Sequence, residues 1–204
     1  MKTIMMTSFQ TKLVALSLVA MAFSIPGCKN RKVQRVDPNE RIDLSGRWND
    51  TDSKMTADAM IEQVLTGPWL TNHLQANNGE RPVVIVGLTR NKSHEHINPE
   101  TFCKDLEKSF ITSQKVRLVQ GGEMREEVRG ERADQQNFSS ENTMKKWGLE
   151  VGADYMLQGV LNSTVDEYGR EKVVEYQIDL QLTNMETNEV VWIGDKKIKK
   201  YIKD

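Results

Sequence analysis

The stretch that decides the fold is YQIDLQLTNMETNEVVWIGDKKIKK, residues 176–200. From Val174 to Leu182 apolar side chains alternate with polar ones, and this period of two predicts a strand with one buried face and one wet face. Met185–Asn188 interrupts the pattern and predicts a turn, and Val190–Ile202 predicts a further strand. The last third of the chain therefore contains a long antiparallel hairpin.

Upstream of this hairpin the sequence predicts more strands. Tyr155–Val165 carries apolar residues on one face, and a turn at Tyr168–Arg170 joins it to the hairpin, so that the whole forms a three-stranded meander. Val83–Leu88 is a continuous and mostly β-branched run, which is typical of a strand buried on both faces. Val116–Val119 predicts a short strand.

Helical patterns separate these strands, and breaks or capping residues mark their ends. Asp52 or Ser53 is predicted to cap a helix that begins near Lys54 and ends at Gly67-Pro68. Further helical patterns follow at Trp69–Asn78, at Pro99–Ser113, at Glu123–Gln136 (an exposed helix or loop) and after Ser139 or Ser140, where the helix carries Met144 and Trp147. This order predicts an α/β fold in which helices pack on a mixed sheet.

The composition is that of one folded domain with an additional segment. A chain of 204 residues has the length of one domain and a tail, and 38% hydrophobic residues suffice for a core. The 28 basic residues nearly balance the 29 acidic ones, so no overall positive field favours nucleic acid. Two cysteines exclude a disulfide-rich scaffold and a four-cysteine zinc site.

Residues 1–27 predict a lipoprotein signal peptide. Two lysines supply the positive charge of such a segment, and Leu13–Ile25 is its apolar run, which is too short to span a membrane. The run ends at Ile25-Pro26-Gly27-Cys28, which resembles the bacterial lipobox. We therefore expect Cys28 to be acylated and to begin the mature protein. The alternative is an ordinary secreted protein with a chance cysteine.

Acylation at Cys28 would make the mature chain a membrane-anchored domain, because each buried CH₂ contributes about 0.8 kcal/mol. Lys29 replaces the aspartate that commonly retains such proteins in the inner membrane, so we expect an outer-membrane protein that faces the periplasm. Residues 28–50 are predicted to be a polar tether that reaches about 70–80 Å at most. Basic contact of this tether with lipid head groups is the alternative to a solvated linker. Residues 51–204 are predicted to form the globular domain.

Few residues have the pattern of a catalytic or metal site. His94-Glu95-His96 offers two imidazoles, but it lies in a predicted loop without a third ligand at a telling spacing, so no metal is predicted. Cys103 lies on an apolar helical stripe, where a cysteine behaves as a small hydrophobic residue. No nucleophile elbow, phosphate loop or dinucleotide fingerprint occurs. We therefore expect no catalytic residue, no cofactor and no small-molecule substrate, and interpret the domain as a binding or regulatory module.

The last predicted strand carries a cluster of lysines, namely Lys196, Lys197, Lys199 and Lys200. Lysines on an edge strand discourage pairing with strands of other molecules, and this is the first interpretation. The alternative is a basic patch that binds a partner. The sequence leaves both interpretations open.

Three segments have distinctive sequences, namely Asp43–Ser53 (DLSGRWNDTDS), Val151–Gly159 (VGADYMLQG) and Tyr176–Lys200. They resemble the LpoB family, outer-membrane lipoproteins that activate penicillin-binding proteins. Hairpins of the third type also occur in the N-terminal domain of TolB, to which the predicted fold is similar, and in the periplasmic part of CsgG. The first segment favours LpoB, and its Arg47 and Trp48 are candidates either for partner binding or for packing.

The resemblance implies a non-enzymatic regulator of peptidoglycan synthesis that binds and activates a bifunctional, class A penicillin-binding protein. Well-known family members have a long proline-rich tether, whereas the tether here is short. Either the partner protrudes towards the outer membrane, or this member is a non-catalytic adapter or assembly factor of an envelope secretion or surface machine. The resemblance does not choose between them.

Overall fold

The computed structural model describes residues 33–38, 40–140, 142 and 149–203. The predicted signal peptide, Cys28 and the predicted helix with Met144 and Trp147 lie outside the described residues. The chain forms two units, Met1–Glu40 and Arg41–Asp204. In the first unit the described residues contain no helix or strand. The second unit begins at Arg41, upstream of the boundary at residue 51 that the sequence suggests.

The second unit contains helices α1 to α4 and strands β1 to β5. In chain order they are α1 (Asp50–Thr66), α2 (Pro68–Ala76), β1 (Val83–Asn91), α3 (Glu100–Ser113), β2 (Arg117–Leu118), α4 (Gly122–Phe138), β3 (Tyr155–Tyr168), β4 (Glu171–Asn184) and β5 (Val190–Lys203). The strands form one sheet in the order β2-β1-β3-β4-β5. Pairing of β1 with β2 and β3 is parallel, and pairing within β3-β4-β5 is antiparallel. The predicted α/β class, mixed sheet and C-terminal meander are confirmed, whereas the likeness to TolB stays a prediction.

Strand β4 lies inside the meander and shows how the pattern produces the fold. Its even-numbered residues from Val174 to Leu182 are at most 2% exposed, while the odd-numbered ones are partly exposed. Helices α1, α2 and α3 supply the other half of this core, with buried residues such as Met60, Trp69 and Phe110. The meander therefore has one face covered by helices and one open face.

Helix α1 begins earlier than the sequence suggests. Asn49 is the N-cap, and Asp52 lies three residues further on, where its carboxylate accepts from the Asn49 backbone N–H at 2.9 Å. This reciprocal pair is a capping box. The predictions that Asp52 or Ser53 caps the helix, and that it begins near Lys54, are wrong because Asp52 acts from inside the first turn.

Strand β1 is longer than predicted and is not buried along its whole length. Val83, Val84 and Ile85 are at most 6% exposed, but Leu88 is 75% exposed. The register with β3 shifts between Val86 and Thr89, and such an irregularity redirects side chains. The expectation of two buried faces therefore fails at Leu88.

Helix α4 is exposed and has no buried residue. This agrees with the first of the two predicted alternatives for residues 123–136, an exposed helix rather than a loop.

Candidate functional site

The lysines of β5 divide between the two faces of the sheet. Lys197, Lys199 and Lys203 are exposed, while Lys196 and Lys200 are partly buried. Lys203 pairs with Glu171 of β4 at 3.0 Å. Lys199 pairs with Glu175 of β4 at 3.3 Å, and its side chain is 66% exposed. The strand therefore does not present its lysines as a single basic patch.

Lys200 is a nearly buried cation with three acceptors. Its Nζ lies 2.6 Å from Asp52 Oδ2 and 3.0 Å from Asp43 Oδ1, and it donates to the Arg47 carbonyl at 2.8 Å. Only 10% of its side chain is exposed. Lys200, Asn49 and Arg41 hydrogen-bond the Asp43 carboxylate and lower its pKa to about 2. Lys200 thus fastens the segment before α1 to the edge of the sheet.

We call this segment, residues 43–49, the arm. Gly46 has a φ of +66°, and a Cβ there would lie 2.5 Å from Ile202 of β5, so only glycine fits this close approach without strain. The Trp48 ring packs edge-on against Tyr176, with ring centroids 5.5 Å apart, and its Nε1 donates to Ser53 Oγ at 2.9 Å. The packing interpretation of Trp48 therefore agrees with its position.

A second segment approaches the same end of the meander. This is residues 92–98, here called the histidine loop. Asn91 donates to the carbonyls of Glu95 and Ile97 at 2.8 and 3.1 Å. Ser163 of β3 accepts from the His94 backbone N–H at 2.9 Å, and its hydroxyl lies 2.6 Å from His94 Nδ1. The loop is therefore fixed to β1 and β3.

Glu95 joins the histidine loop, the arm and the sheet. Its Oε1 accepts from the Tyr176 hydroxyl at 2.6 Å, and its Oε2 accepts from the Trp48 backbone N–H at 3.2 Å. The His94 ring stacks on Tyr176, with a centroid distance of 6.2 Å and an interplanar angle of 19°. The pKa of Tyr176 is raised well above its usual value, mainly by burial and to a smaller extent by the hydrogen bond to Glu95. This buried phenol is thus satisfied by a carboxylate.

The arm and the histidine loop border a cleft at the end of the meander. Its volume is about 430 Å³, and it is open to solvent on one side. It is lined by Ser45, Gly46 and Arg47 of the arm, His94, Glu95 and His96 of the loop, and Lys172, Val174 and Ile202 of β4 and β5. Arg47, a sequence candidate, is in the cleft, whereas Lys196, Lys197, Lys199 and Lys200 do not line it.

The remaining reactive residues have structural partners. His94 Nε2 lies 3.4 Å from Glu95, and within the described parts of the chain no group of three or more potential ligands could hold a metal. Cys103 is partly buried beside Thr89, and burial raises the pKa of its thiol. Among the helices that the structure describes, none has the length and apolar character of a membrane span.

The model of the family of peptidoglycan-synthase activators LpoB matches residues 52–198. The chain belongs to the LpoB family. Members of this family are envelope lipoproteins that activate peptidoglycan synthases. The match confirms the resemblance to this family, and it includes the second segment, most of the third and only the last two residues of the first.

Solved LpoB structures are also similar to this chain. The LpoB C-terminal domain from Escherichia coli has 16% identity and a TM-score of 0.42, covering 72% of this chain and 98% of that one. The corresponding domain from Salmonella enterica has 19% identity and a TM-score of 0.34, with 64% and 93% covered. The Escherichia coli LpoB structure determined by NMR has 15% identity and a TM-score of 0.35, with 89% and 86% covered. No curated protein matches the sequence significantly.

The LpoB-like segments have structural roles here. Asp43–Ser53 forms the arm and the first turn of α1. In the second segment, Asp154 Oδ2 accepts from the Val83 backbone N–H at 2.7 Å, which joins β1 to the start of β3. Sequence reasoning missed Lys172 and the link between Glu95 and Tyr176. The sequence did contain a signal for the second of these. Tyr176 is the one phenol among the aliphatic buried residues of β4, and a buried hydroxyl requires a hydrogen-bond partner.

Proposed function

We propose that the mature chain is a lipid-anchored, non-catalytic activator that binds a bifunctional class A penicillin-binding protein in the cell envelope. The observation that carries this proposal is the family match, which spans residues 52–198 and so includes nearly all of the helices and the sheet. The protein would do no chemistry itself, and the synthase would supply both the glycosyltransferase and the transpeptidase activity.

Such an activator works through differential affinity. It raises the rate of its partner only if it binds the active conformation more tightly than the inactive one. A tenfold shift of that equilibrium requires about 1.4 kcal/mol of differential binding free energy. A rigid docking surface suits this task, because little of the binding free energy is then spent on ordering the activator.

The proposed anchor at Cys28 limits where activation takes place. Because the compact unit begins at Arg41, the segment that spans from the anchor to the domain is residues 29–40. Its fully extended length is about 40–43 Å, which is shorter than the length expected from the sequence alone. From the outer membrane the domain would therefore reach only a synthase that protrudes well into the periplasm.

A reconstituted assay tests the proposal. The chain from residue 29 onward, without signal peptide and Cys28, is mixed with each class A synthase of the source organism. We expect saturable binding and faster polymerisation and crosslinking of lipid II, with heat-unfolded protein as the control. If no such synthase binds, the proposal is wrong.

The short anchor segment favours one second candidate, an adapter of an envelope secretion or surface machine. Such a partner would lie at the outer membrane, within the reach of residues 29–40. Crosslinking in intact cells distinguishes the two. Recovery of a synthase supports the activator, whereas recovery of transport components without any synthase supports the adapter.

A further inference from the structure

The cleft contains cationic side chains that the fold does not use. Arg47 and Lys172 both line it, and within the part of the chain that the structure describes neither makes an ion pair. Two neighbouring cations already have carboxylate partners, since Lys200 pairs with Asp43 and Asp52 and Arg41 pairs with Asp43. Arg47 and Lys172 can therefore engage an anionic group of a ligand without breaking an interaction that stabilises the domain.

The cleft also contains an anion with spare capacity to accept hydrogen bonds. The Glu95 side chain is only 16% exposed, accepts from Tyr176 and Trp48, and has His94 Nε2 at 3.4 Å from its Oε1. A carboxylate offers about four acceptor sites, so Oε2, which accepts only from the Trp48 backbone N–H, can accept a further hydrogen bond. A ligand that carries both negative charge and N–H donors therefore matches the cleft. A phosphate brings charge but no N–H donor, whereas a peptide with acidic side chains brings carboxylates for Arg47 and Lys172 and backbone N–H groups for Glu95.

Both walls of the cleft are fixed before any ligand binds. Lys200 and the close contact of Gly46 with Ile202 hold the arm, while Asn91 and Ser163 hold the histidine loop. Glu95 then bridges the two walls. A preformed site of this kind loses little conformational entropy on binding.

We propose that this cleft docks an acidic peptide segment of the partner synthase, with Arg47 and Lys172 pairing with its carboxylates and Glu95 accepting from its backbone N–H groups. This inference rests on the proposed function and specifies the surface that carries it out. Electrostatic complementarity of this kind speeds association and depends on salt.

Two matched double variants test the assignment. R47Q/K172Q removes two positive charges from the cleft, and K197Q/K199Q removes two from β5 outside it. We expect R47Q/K172Q to weaken binding to the purified synthase on the order of tenfold and to reduce its salt dependence. The control should stay within about twofold, because Lys197 and Lys199 do not line the cleft. Thermal unfolding checks that both variants are folded.

Crosslinking identifies the chemistry of the partner. A carbodiimide joins an amine to a carboxylate without a spacer, so we expect Lys172 to be joined to aspartate or glutamate residues of one synthase segment. Purified peptidoglycan is tested in parallel, and we expect R47Q/K172Q to bind it as the unchanged chain does. Loss of peptidoglycan binding with synthase binding unchanged would overturn the inference.

The outcomes separate this inference from the proposed function. If the unchanged chain binds no class A synthase, both are wrong. If it binds and activates a synthase but the two double variants behave alike, or K197Q/K199Q is the weaker binder, the function stands and the assignment of the cleft is wrong.

Discussion

Two adjacent lysines of β5 occupy opposite environments. The Lys199 side chain is 66% exposed and meets a single carboxylate, whereas the Lys200 side chain is 10% exposed and meets Asp43 and Asp52. The difference follows from the strand period of two, which turns neighbouring residues to opposite faces. The same short lysine-rich stretch thus contains an exposed charge, Lys199, and a nearly buried one, Lys200. Comparing matched variants of the two separates what each contributes to the stability of the domain.

The largest effect is expected from Lys200. Replacing it by methionine (K200M) keeps most of the apolar stem but leaves the nearly buried Asp52 without its cation. Breaking a buried ion pair from one side costs about 3 kcal/mol of unfolding free energy, measured by urea denaturation. The matched variant K199M should cost less than about 1 kcal/mol, because exposed pairs are weak. Equal losses would contradict a structural role for Lys200.

The next effect concerns the close contact of the arm with β5. G46A adds a Cβ at 2.5 Å from Ile202, while G169A adds one at the tip of the β3–β4 hairpin with nothing within 4 Å. Both glycines have nearly the same φ, +66° and +64°. An alanine in this left-handed conformation lowers the unfolding free energy of either variant by about 1–2 kcal/mol. We expect G46A to lose about 1–3 kcal/mol more in unfolding free energy. Equal unfolding free energies would show that the arm is not held tightly.

The sequence predicted the meander well, because the alternation of apolar and polar residues and the turn residues lie close together along the chain. The alternation in β4 fixes which residues are buried, and the β4–β5 turn lies at Met185–Asn188 as expected. The irregularity in β1 between Val86 and Thr89 arises from pairing with β3. The one local signal is Gly87, since an isolated glycine in a strand indicates a bulge or a close backbone approach. That signal does not say which side chain turns outward, so the exposure of Leu88 follows from the pairing.

The cleft was only partly predictable for the same reason. Arg47 and Trp48 were identified from the segment that resembles the LpoB family, and His94–His96 was considered only as a metal site. Glu95 and Tyr176 are far apart along the chain and meet at 2.6 Å only because the histidine loop folds over β4. No rule of sequence spacing connects Glu95 with Tyr176. The capping box does follow such a rule, because its two residues lie three positions apart, yet the N-cap was predicted at Asp52 or Ser53 and is Asn49.

Two Tyr–Glu pairs offer a smaller and sharper comparison. Tyr176 is fully buried and donates to Glu95, while Tyr201 is 60% exposed and hydrogen-bonds Glu171. We expect Y176F to lose about 1–2 kcal/mol of unfolding free energy, because Glu95 loses a buried donor. Y201F should leave the urea midpoint unchanged, since water replaces the hydroxyl. An unchanged Y176F midpoint would indicate that water replaces the lost donor at Glu95 Oε1.

The smallest effect is a dependence on pH that Asp43 carries. Its pKa is lowered from 3.8 to about 2 in the folded state, so its contribution to stability is fully present above about pH 4 and is lost as the pH falls towards 2. Glu150 and Glu171 also have lowered pKa values, because Arg129 and Lys203 hydrogen-bond them, and they add to the acid sensitivity of the whole protein. The difference in urea midpoint between the unchanged chain and D43N isolates Asp43, since both proteins contain these other groups. We expect D43N to be less stable at pH 5 and the gap to close by about pH 2. A gap that stays constant with pH would mean that Lys200 stabilises the arm through Asp52 and the Arg47 carbonyl alone.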